Sequence, residues 1–195
     1  LETFLLTEDP DKIFLTTDHP NGAPFTSYPH LIKLLMDKTF RDDLLDQMSV
    51  DISKHTILKD IKREYTMSEI ATMTRSAPAR ILGLKNKGSL SKGADADITV
   101  YDSNIKDIED MFASPTHVIK DGYVVVKNGE IKKYTWGKTQ VVKPEYDASI
   151  EKKLKKYFDK YHTIELPNYT ISNDEMSEVI GSDVNEIKCA RKRIS

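Results

Sequence analysis

Apolar and polar positions change their period several times along this chain. Lys12-Ile13-Phe14-Leu15-Thr16-Thr17-Asp18-His19-Pro20 reads as a short strand with little polar alternation, the pattern of a strand buried on both faces of a parallel sheet. Pro20 cannot donate to a ladder and Asn21-Gly22 is a turn signal, so the strand is expected to stop near His19. Asp18 then sits at its C-terminal end, on the same side as Phe14 and Thr16. From Tyr28 to about Arg75 the spacing becomes helical. Leu31, Leu34 and Leu35 form one stripe, Phe40, Leu44, Leu45 and Met48 a second, and Ile57, Leu58 and Ile61 a weaker third. Thr66 with Glu69 is a capping box that opens a helix burying Ile70 and Met73. Pro78 starts a further turn that Gly83 ends.

Beyond Gly88 the pattern turns to strands. Ile98-Thr99-Val100-Tyr101, Val118-Ile119-Lys120 and Tyr123-Val124-Val125-Val126-Lys127 are rich in β-branched residues, and Asp121-Gly122 and Asn128-Gly129 are two-residue hairpin turns. From Pro144 one amphipathic helix aligns Ile150, Leu154, Tyr157, Phe158 and Tyr161. The last 30 residues or so are polar and weakly patterned. The order strand, helices, hairpin-rich sheet and helix predicts an α/β part followed by a β part, and excludes a pure sandwich or bundle.

Charge and composition narrow the class. The formal charge of −2 lacks the basic excess of a nucleic-acid binder, although Arg191, Lys192 and Arg193 cluster at the end. No apolar run approaches the ~18 residues of a membrane span, and the first residues do not read as a signal peptide. The single cysteine, Cys189, forms no internal disulfide, in keeping with a reducing compartment. Leu1 is not a methionine and stands in apolar sequence, which suggests part of something longer.

Among titratable groups, Asp18 draws most interest. A carboxylate at the C-terminal end of a buried strand is where (β/α)-type enzymes keep catalytic groups. The alternative is that it caps the Asn21-Gly22 turn through backbone N–H groups. His19 faces the other side and is either a packed histidine or a contact to substrate. His30 opens an apolar helix, while His55, His117 and His162 read as structural. No His-x-His, His-Glu-x-x-His, cysteine pair, phosphate loop or dinucleotide fingerprint occurs. Cys189 stands beside Lys188 and Arg191 but has no assignable general base.

Three segments together resemble the C-terminal part of the amidohydrolase superfamily. Thr17-Asp18-His19-Pro20 resembles the end of its eighth barrel strand, Met73-Thr74-Arg75-Ser76-Ala77-Pro78-Ala79-Arg80-Ile81-Leu82-Gly83-Leu84 its barrel-exit helix, and Lys87-Gly88-Ser89-Leu90-Ser91-Lys92-Gly93-Ala94-Asp95-Ala96-Asp97-Ile98-Thr99-Val100-Tyr101 the entry into its small β-sandwich. The stretches Leu15 to Pro29, Leu31 to Asp37, Arg63 to Thr66 and Ala94 to Tyr101 are more narrowly similar to the A-type subunits of formylmethanofuran dehydrogenase, over about residues 8 to 150. This resemblance implies the last strand and closing helices of a TIM-type barrel in 1–85, a small composite β-sandwich in 86–143 and a C-terminal helix and tail in 144–195.

It also implies chemistry: two zinc ions in the full-length protein, with Asp18 as metal ligand and proton shuttle. His19, Asn21, Gly22 and Thr26 would contact substrate at the mouth of the site. Formate and methanofuran would be condensed, or formylmethanofuran hydrolysed, beside partner subunits carrying a tungsten or molybdenum pterin and iron–sulfur clusters. The setting would be archaeal, cytoplasmic and methanogenic, with no nucleic acid and no membrane as partners. The His-x-His, the bridging lysine and the two later histidine ligands of the superfamily are absent, so these residues alone are expected to be inactive. Two other readings compete: a dihydroorotase- or hydantoinase-like cyclic amidase, and a non-catalytic module that docks other subunits through the sandwich strands, the 147–161 helix and the basic end.

Overall fold

The computed structural model describes residues 1–181 and 184–189, without the side chains of residues 52, 53 and 180. The basic cluster Arg191, Lys192 and Arg193 lies outside the described residues. The chain forms two compact units, Leu1–Tyr134 and Thr135–Ser195.

In the first unit, α1 (Glu2–Leu6) and a 3₁₀ turn (Pro10–Lys12) precede an extended segment, and helices α2 (Tyr28–Met36), α3 (Lys38–Gln47) and α4 (Val50–Lys54) follow. Pro29 suits the first turn of α2, where an N–H has no partner within the helix. Asp37 caps α3 by accepting the Phe40 N–H at 2.8 Å. Leu5, Ile32, Leu35, Tyr65, Ile70 and Met73 make the core.

The Ile57-Leu58-Ile61 stripe is not a helix. Two turns, Asp60 N–H to Ile57 O and Ile61 N–H to Leu58 O, lead into extended chain. The cause is Arg41, which is only 1% exposed. Its guanidinium donates to Leu34 O at 2.7 Å and to both Ile61 O and Arg63 O at 3.2 and 3.1 Å. Carbonyls two residues apart point the same way only in extended backbone, so one arginine holds 61–63 out of helical geometry. Tyr65 N–H then reaches Leu35 O at 2.9 Å, and the Tyr65 hydroxyl donates to Phe4 O. Burial pushes the Tyr65 phenol up from its usual range.

The predicted capping box is present: Thr66 Oγ1 accepts the Glu69 N–H and the Glu69 carboxylate accepts the Thr66 N–H. The exit helix then runs through α5 (Met67–Ala71), a π-helical turn (Thr72–Ser76) and α6 (Ala77–Ile81). A π turn widens the ladder, and here Met73 O accepts the Leu15 N–H at 3.3 Å. Gly88 lies against the same turn with φ +76°. A Cβ there would stand 2.5 Å from Arg75 O and 2.8 Å from the Ala79 Cβ, so only glycine fits.

Strands β1 (Ile98–Val100), β2 (His117–Lys120), β3 (Tyr123–Lys127) and β4 (Glu130–Ile131) form one open antiparallel sheet in that order, with α7 (Ile108–Ala113) inserted after β1. Both predicted hairpin turns have two positive φ values, Asp121 49° with Gly122 81°, and Asn128 49° with Gly129 77°. Neither a closed barrel nor a second sandwich layer forms among the described residues. Asp97 ties the sheet to the loop before it, accepting from Lys87 Nζ at 2.6 Å, Lys120 Nζ at 3.0 Å and the Asp121 N–H at 2.9 Å. Burial, the largest single influence on Asp97, favours its neutral form. The hydrogen bonds from Lys87, Asp121 and Lys120 outweigh it and hold the carboxyl well below the usual range.

The second unit pairs β5 (Thr139–Pro144) with β6 (Val184–Cys189) in parallel, and carries α8 (Ile150–Tyr161), a 3₁₀ turn (Leu166–Tyr169) and α9 (Asn173–Ile180) between them. The weakly patterned tail therefore holds a helix and a strand that the periodicity does not predict. The Ser172–Glu175 capping box and the left-handed Gly181 are the local signals of that helix.

Replacing Arg41 by Leu strands three carbonyl oxygens, at ~1–3 kcal/mol per buried unsatisfied group. Urea unfolding should show a loss of about 3 kcal/mol, against under about 0.5 kcal/mol for exposed Lys12→Ala. The depressed Asp97 pKa adds stability that is complete above the ordinary Asp value of ~3.9 and lost as pH falls below it toward the native value. Asp97→Asn should accordingly be less stable at neutral pH and flatten the acid limb of a melting-temperature profile below about pH 4.

Candidate functional site

The segment carrying Asp18 is extended but forms no ladder with any described strand, so the strand expected over 12–19 is absent as such. A parallel strand needs neighbours, and among the described residues this segment's main-chain hydrogen bond to another element is that of Leu15 N–H to Met73 O. Nor is it buried on both faces. Ile13, Leu15 and Thr17 turn inward while Phe14, Thr16 and Asp18 are exposed, which keeps the period-two relation among the last three. Thr17 is 5% exposed, and its hydroxyl has no hydrogen-bond partner among the described residues.

Asp18 itself takes a left-handed conformation, φ 51°, which Asp tolerates better than most residues. The chain then turns through the cis His19–Pro20 bond and Asn21. Gly22 N–H donates to Asp18 O and Ala23 N–H to Thr17 O, both at 2.9 Å. A Cβ on Gly22 would stand 2.5 Å from Thr17 O, so the turn closes tightly only over glycine.

These bonds separate the two readings of Asp18 in one respect. The turn is closed by main-chain oxygens, and the Asp18 carboxylate accepts none of its N–H groups. Its side chain is exposed and has no polar partner among the described residues. Asn21, Gly22 and Thr26 lie on the same exposed loop, Thr26 within the 3₁₀ turn Phe25–Ser27 that leads into α2. His19 stacks on Phe25 with ring centroids 3.9 Å apart and planes 21° from parallel. That partner carries no sequence signal, because the irregular turn Pro20 to Pro24 brings the rings together.

Other candidates are engaged elsewhere. His30 Nδ1 lies 3.0 Å from Glu109 Oε2, joining α2 to α7. His162 packs against Phe158 and Tyr157, and His117 lies 3.4 Å from Thr116 Oγ1. Cys189 is free and exposed. A cleft of about 960 Å³ opens among α2, the exit helix and β1, yet it is lined by Leu15, Ile32, Met67 and Leu90 and not by Asp18. Thr74, Arg75, Lys87 and Asp97 also line it, and Lys87 and Asp97 are already paired with each other.

A model of the amidohydrolase family matches residues 2–126. The chain belongs to the amidohydrolase family. Among curated relatives, it is 38% identical to the A component of the formyltransferase/hydrolase complex Fhc of Methylorubrum extorquens, over 93% of this chain and 33% of that protein. It is 37% identical to protein FwdA of Methanocaldococcus jannaschii, over 96% of this chain and 35% of that protein. The crystal structure of the FhcABCD complex from Methylorubrum extorquens with methylofuran contains a chain that superposes with a TM-score of 0.83 at 36% identity. The match covers 96% of this chain and 34% of that one. The chain thus spans about a third of the length of these relatives, in their C-terminal region.

A zinc centre takes at least three protein ligands. No group of three or more His, Cys, Asp or Glu side chains converges among the described residues. Asp18 stands alone among the described residues, so these residues do not by themselves fit the two-zinc site. No helix among the described residues is long and apolar enough to cross a membrane.

Gly22→Ala should open the turn by forcing Thr17 O away. Faster hydrogen exchange at the Ala23 amide, with Leu35 and other core amides unchanged, is the expected result.

Proposed function

We propose that this chain supplies the Asp18-bearing C-terminal section of an enzyme subunit that joins formate to the amine of a furan-type carrier, methanofuran or its analogue, or cleaves that formamide. The observation that carries this reading is the 38% identity to the A component of Fhc, extending over 93% of the chain. In this reading residues 1–85 form the end of a barrel whose other strands lie outside these 195 residues, and residues 86–143 contribute to a small sandwich. The extended segment around Leu15 supports that placement, because it forms no ladder with any described strand.

The chemistry of the chain's own residues is then proton transfer at an amide carbon. In hydrolysis water adds to the formyl carbon and its proton passes to a carboxylate oxygen of Asp18. The C–N bond breaks as that proton is delivered to the departing amine, leaving formic acid, which gives its proton to solvent to become formate. Condensation runs the same path backwards, with Asp18 taking the proton from the attacking amine and returning it to the departing water. His19, stacked on Phe25, with Asn21 and Thr26, lines the approach to the carboxylate, where loops on a rigid scaffold select substrate. In this reading two zinc ions take most of their ligands from outside these 195 residues, with Asp18 as one ligand. Tungsten or molybdenum pterin chemistry and iron–sulfur clusters belong to partner subunits.

Asp18→Asn in the full-length protein should lower turnover of the N-formyl carrier by about 10²–10⁴-fold, the usual worth of a positioned acid–base group. Thermal stability should not change, since the side chain is exposed. Unchanged turnover would remove Asp18 from the reaction. Hydrolysis of hydantoin or dihydroorotate in place of the formamide would assign the protein to the cyclic amidases.

A further inference from the structure

Asp18 is aimed by its backbone. Its side chain has no polar partner among the described residues, so the direction of the carboxylate follows from the two peptide planes that flank its Cα. The plane after it is fixed where Asp18 O accepts the Gly22 N–H at 2.9 Å. The plane before it is held at both ends. Thr17 O accepts the Ala23 N–H at 2.9 Å, and the Asp18 N–H donates to Thr16 Oγ1 at 3.2 Å. Two of these three bonds run from main chain to main chain. The third is the one that a side chain supplies.

That bond falls at a strained residue. Asp18 has φ 51°, a left-handed conformation that costs an L residue energy even when it is aspartate. Without an acceptor for its N–H, the peptide between Thr17 and Asp18 is pinned only at Thr17 O. It can then rotate, and φ relaxes toward the negative values that L residues prefer. The Cα–Cβ bond turns with it and the carboxylate leaves its place. The Thr16 hydroxyl opposes this by accepting the N–H two residues ahead, a local bond of the kind Ser and Thr make to nearby backbone. Threonine suits the position, because its branched Cβ restricts χ1 and so holds the hydroxyl still. Thr17 does not share the task. Its side chain points to the other side, is 5% exposed, and its hydroxyl has no partner among the described residues.

We infer that Thr16 is a positioning residue for the acid–base step: its hydroxyl holds the Asp18 N–H and through it aims the carboxylate at the reacting amide. The inference rests on the role proposed for Asp18 above. It adds a side chain that acts through Asp18 and transfers no proton itself.

The test compares Thr16→Val and Thr16→Ser in the full-length protein. Valine keeps the branched shape and removes the acceptor, whereas serine keeps the acceptor. Thr16 is exposed, so both variants should melt with the wild type. Thr16→Val should lower kcat for the N-formyl carrier about three- to tenfold, the usual worth of one hydrogen bond, with KM within about twofold. Thr16→Ser should restore most of that loss. Hydrogen exchange at the Asp18 amide, read by mass spectrometry, should quicken in the valine variant while the Gly22 and Ala23 amides keep their rates. In an Asp18→Asn background the valine substitution should cost nothing further, because the carboxylate it aims is gone.

Wild-type kcat in Thr16→Val would overturn the inference. So would a loss that serine does not restore, an equal loss in the Asp18→Asn background, a rise in KM alone, or an Asp18 amide that exchanges at the wild-type rate. The two readings fail separately. If Asp18→Asn lowers turnover and Thr16→Val does not, the positioning role alone falls. Retained turnover in Asp18→Asn removes the acid–base role, and the positioning role with it.

Discussion

A single buried cation organises the first unit. The guanidinium of Arg41 joins the last turn of α2 to the extended chain at Ile61 and Arg63, and so determines where the chain returns after α3 and α4. Burial lowers its pKa, and the nearby carboxylates of Asp42, Glu64 and Asp37 oppose that shift. An arginine keeps its charge under such conditions where a lysine would tend to lose it. Everything downstream inherits the geometry: Tyr65 enters the core, Thr66 caps the exit helix, and the π turn of that helix comes to face the Asp18 segment. The helix-forming stripe at Ile57, Leu58 and Ile61 is overruled because three main-chain acceptors on one donor fork outweigh a few tenths of a kcal/mol of propensity per residue.

The segments that carry the family resemblance divide into two kinds. Lys87, Gly88, Asp95 and Asp97 are held by structural demands that chemistry need not explain. Gly88 admits the Arg75 carbonyl, and Lys87 bridges Asp95 and Asp97 at 2.8 and 2.6 Å. The Thr74-to-Leu84 stretch likewise packs Ala77 and Ala79 inward and ends on the left-handed Gly83. The Thr17-to-Thr26 loop is different in kind. Its backbone is closed by its own carbonyls, and its charged side chain is left over.

Local signals are the most legible part of the sequence. The Thr66–Glu69 capping box, the Asp-Gly and Asn-Gly turns and the helical stripes at Leu35 and Leu45 depend on a few neighbouring residues, and the structure returns them. The long-range parts are hidden. No spacing announces that Arg41 will grip residues 20 and 22 positions away, that a π turn will accept the Leu15 N–H, or that His19 will stack on Phe25. The strand expected over 12–19 fails for a related reason. Its apolar run is real, but a ladder depends on partners that the pattern of one segment does not contain. The tail shows the opposite case, a capping box at Ser172 whose helix is obscured by the low apolar content around it.

The Asp18 loop shows why an exposed carboxylate is a stronger lead here than a buried one. A buried aspartate needs hydrogen bonds to stay ionised, and those bonds occupy the lone pairs through which it would act. At Asp18 the work of shaping the turn falls on main-chain oxygens and on a glycine, while the side chain of Thr17 is sealed beneath and the carboxylate faces out. Shape and charge are therefore supplied by different atoms. The main-chain bonds that close the loop do not involve the carboxylate, so the shape of the turn does not depend on that side chain. The same separation recurs in the second unit, where Ile150, Leu154, Tyr157 and Tyr161 lie exposed beside lysines without carboxylate partners among the described residues. In both places the groups left over after the fold has satisfied itself are the ones that face outward.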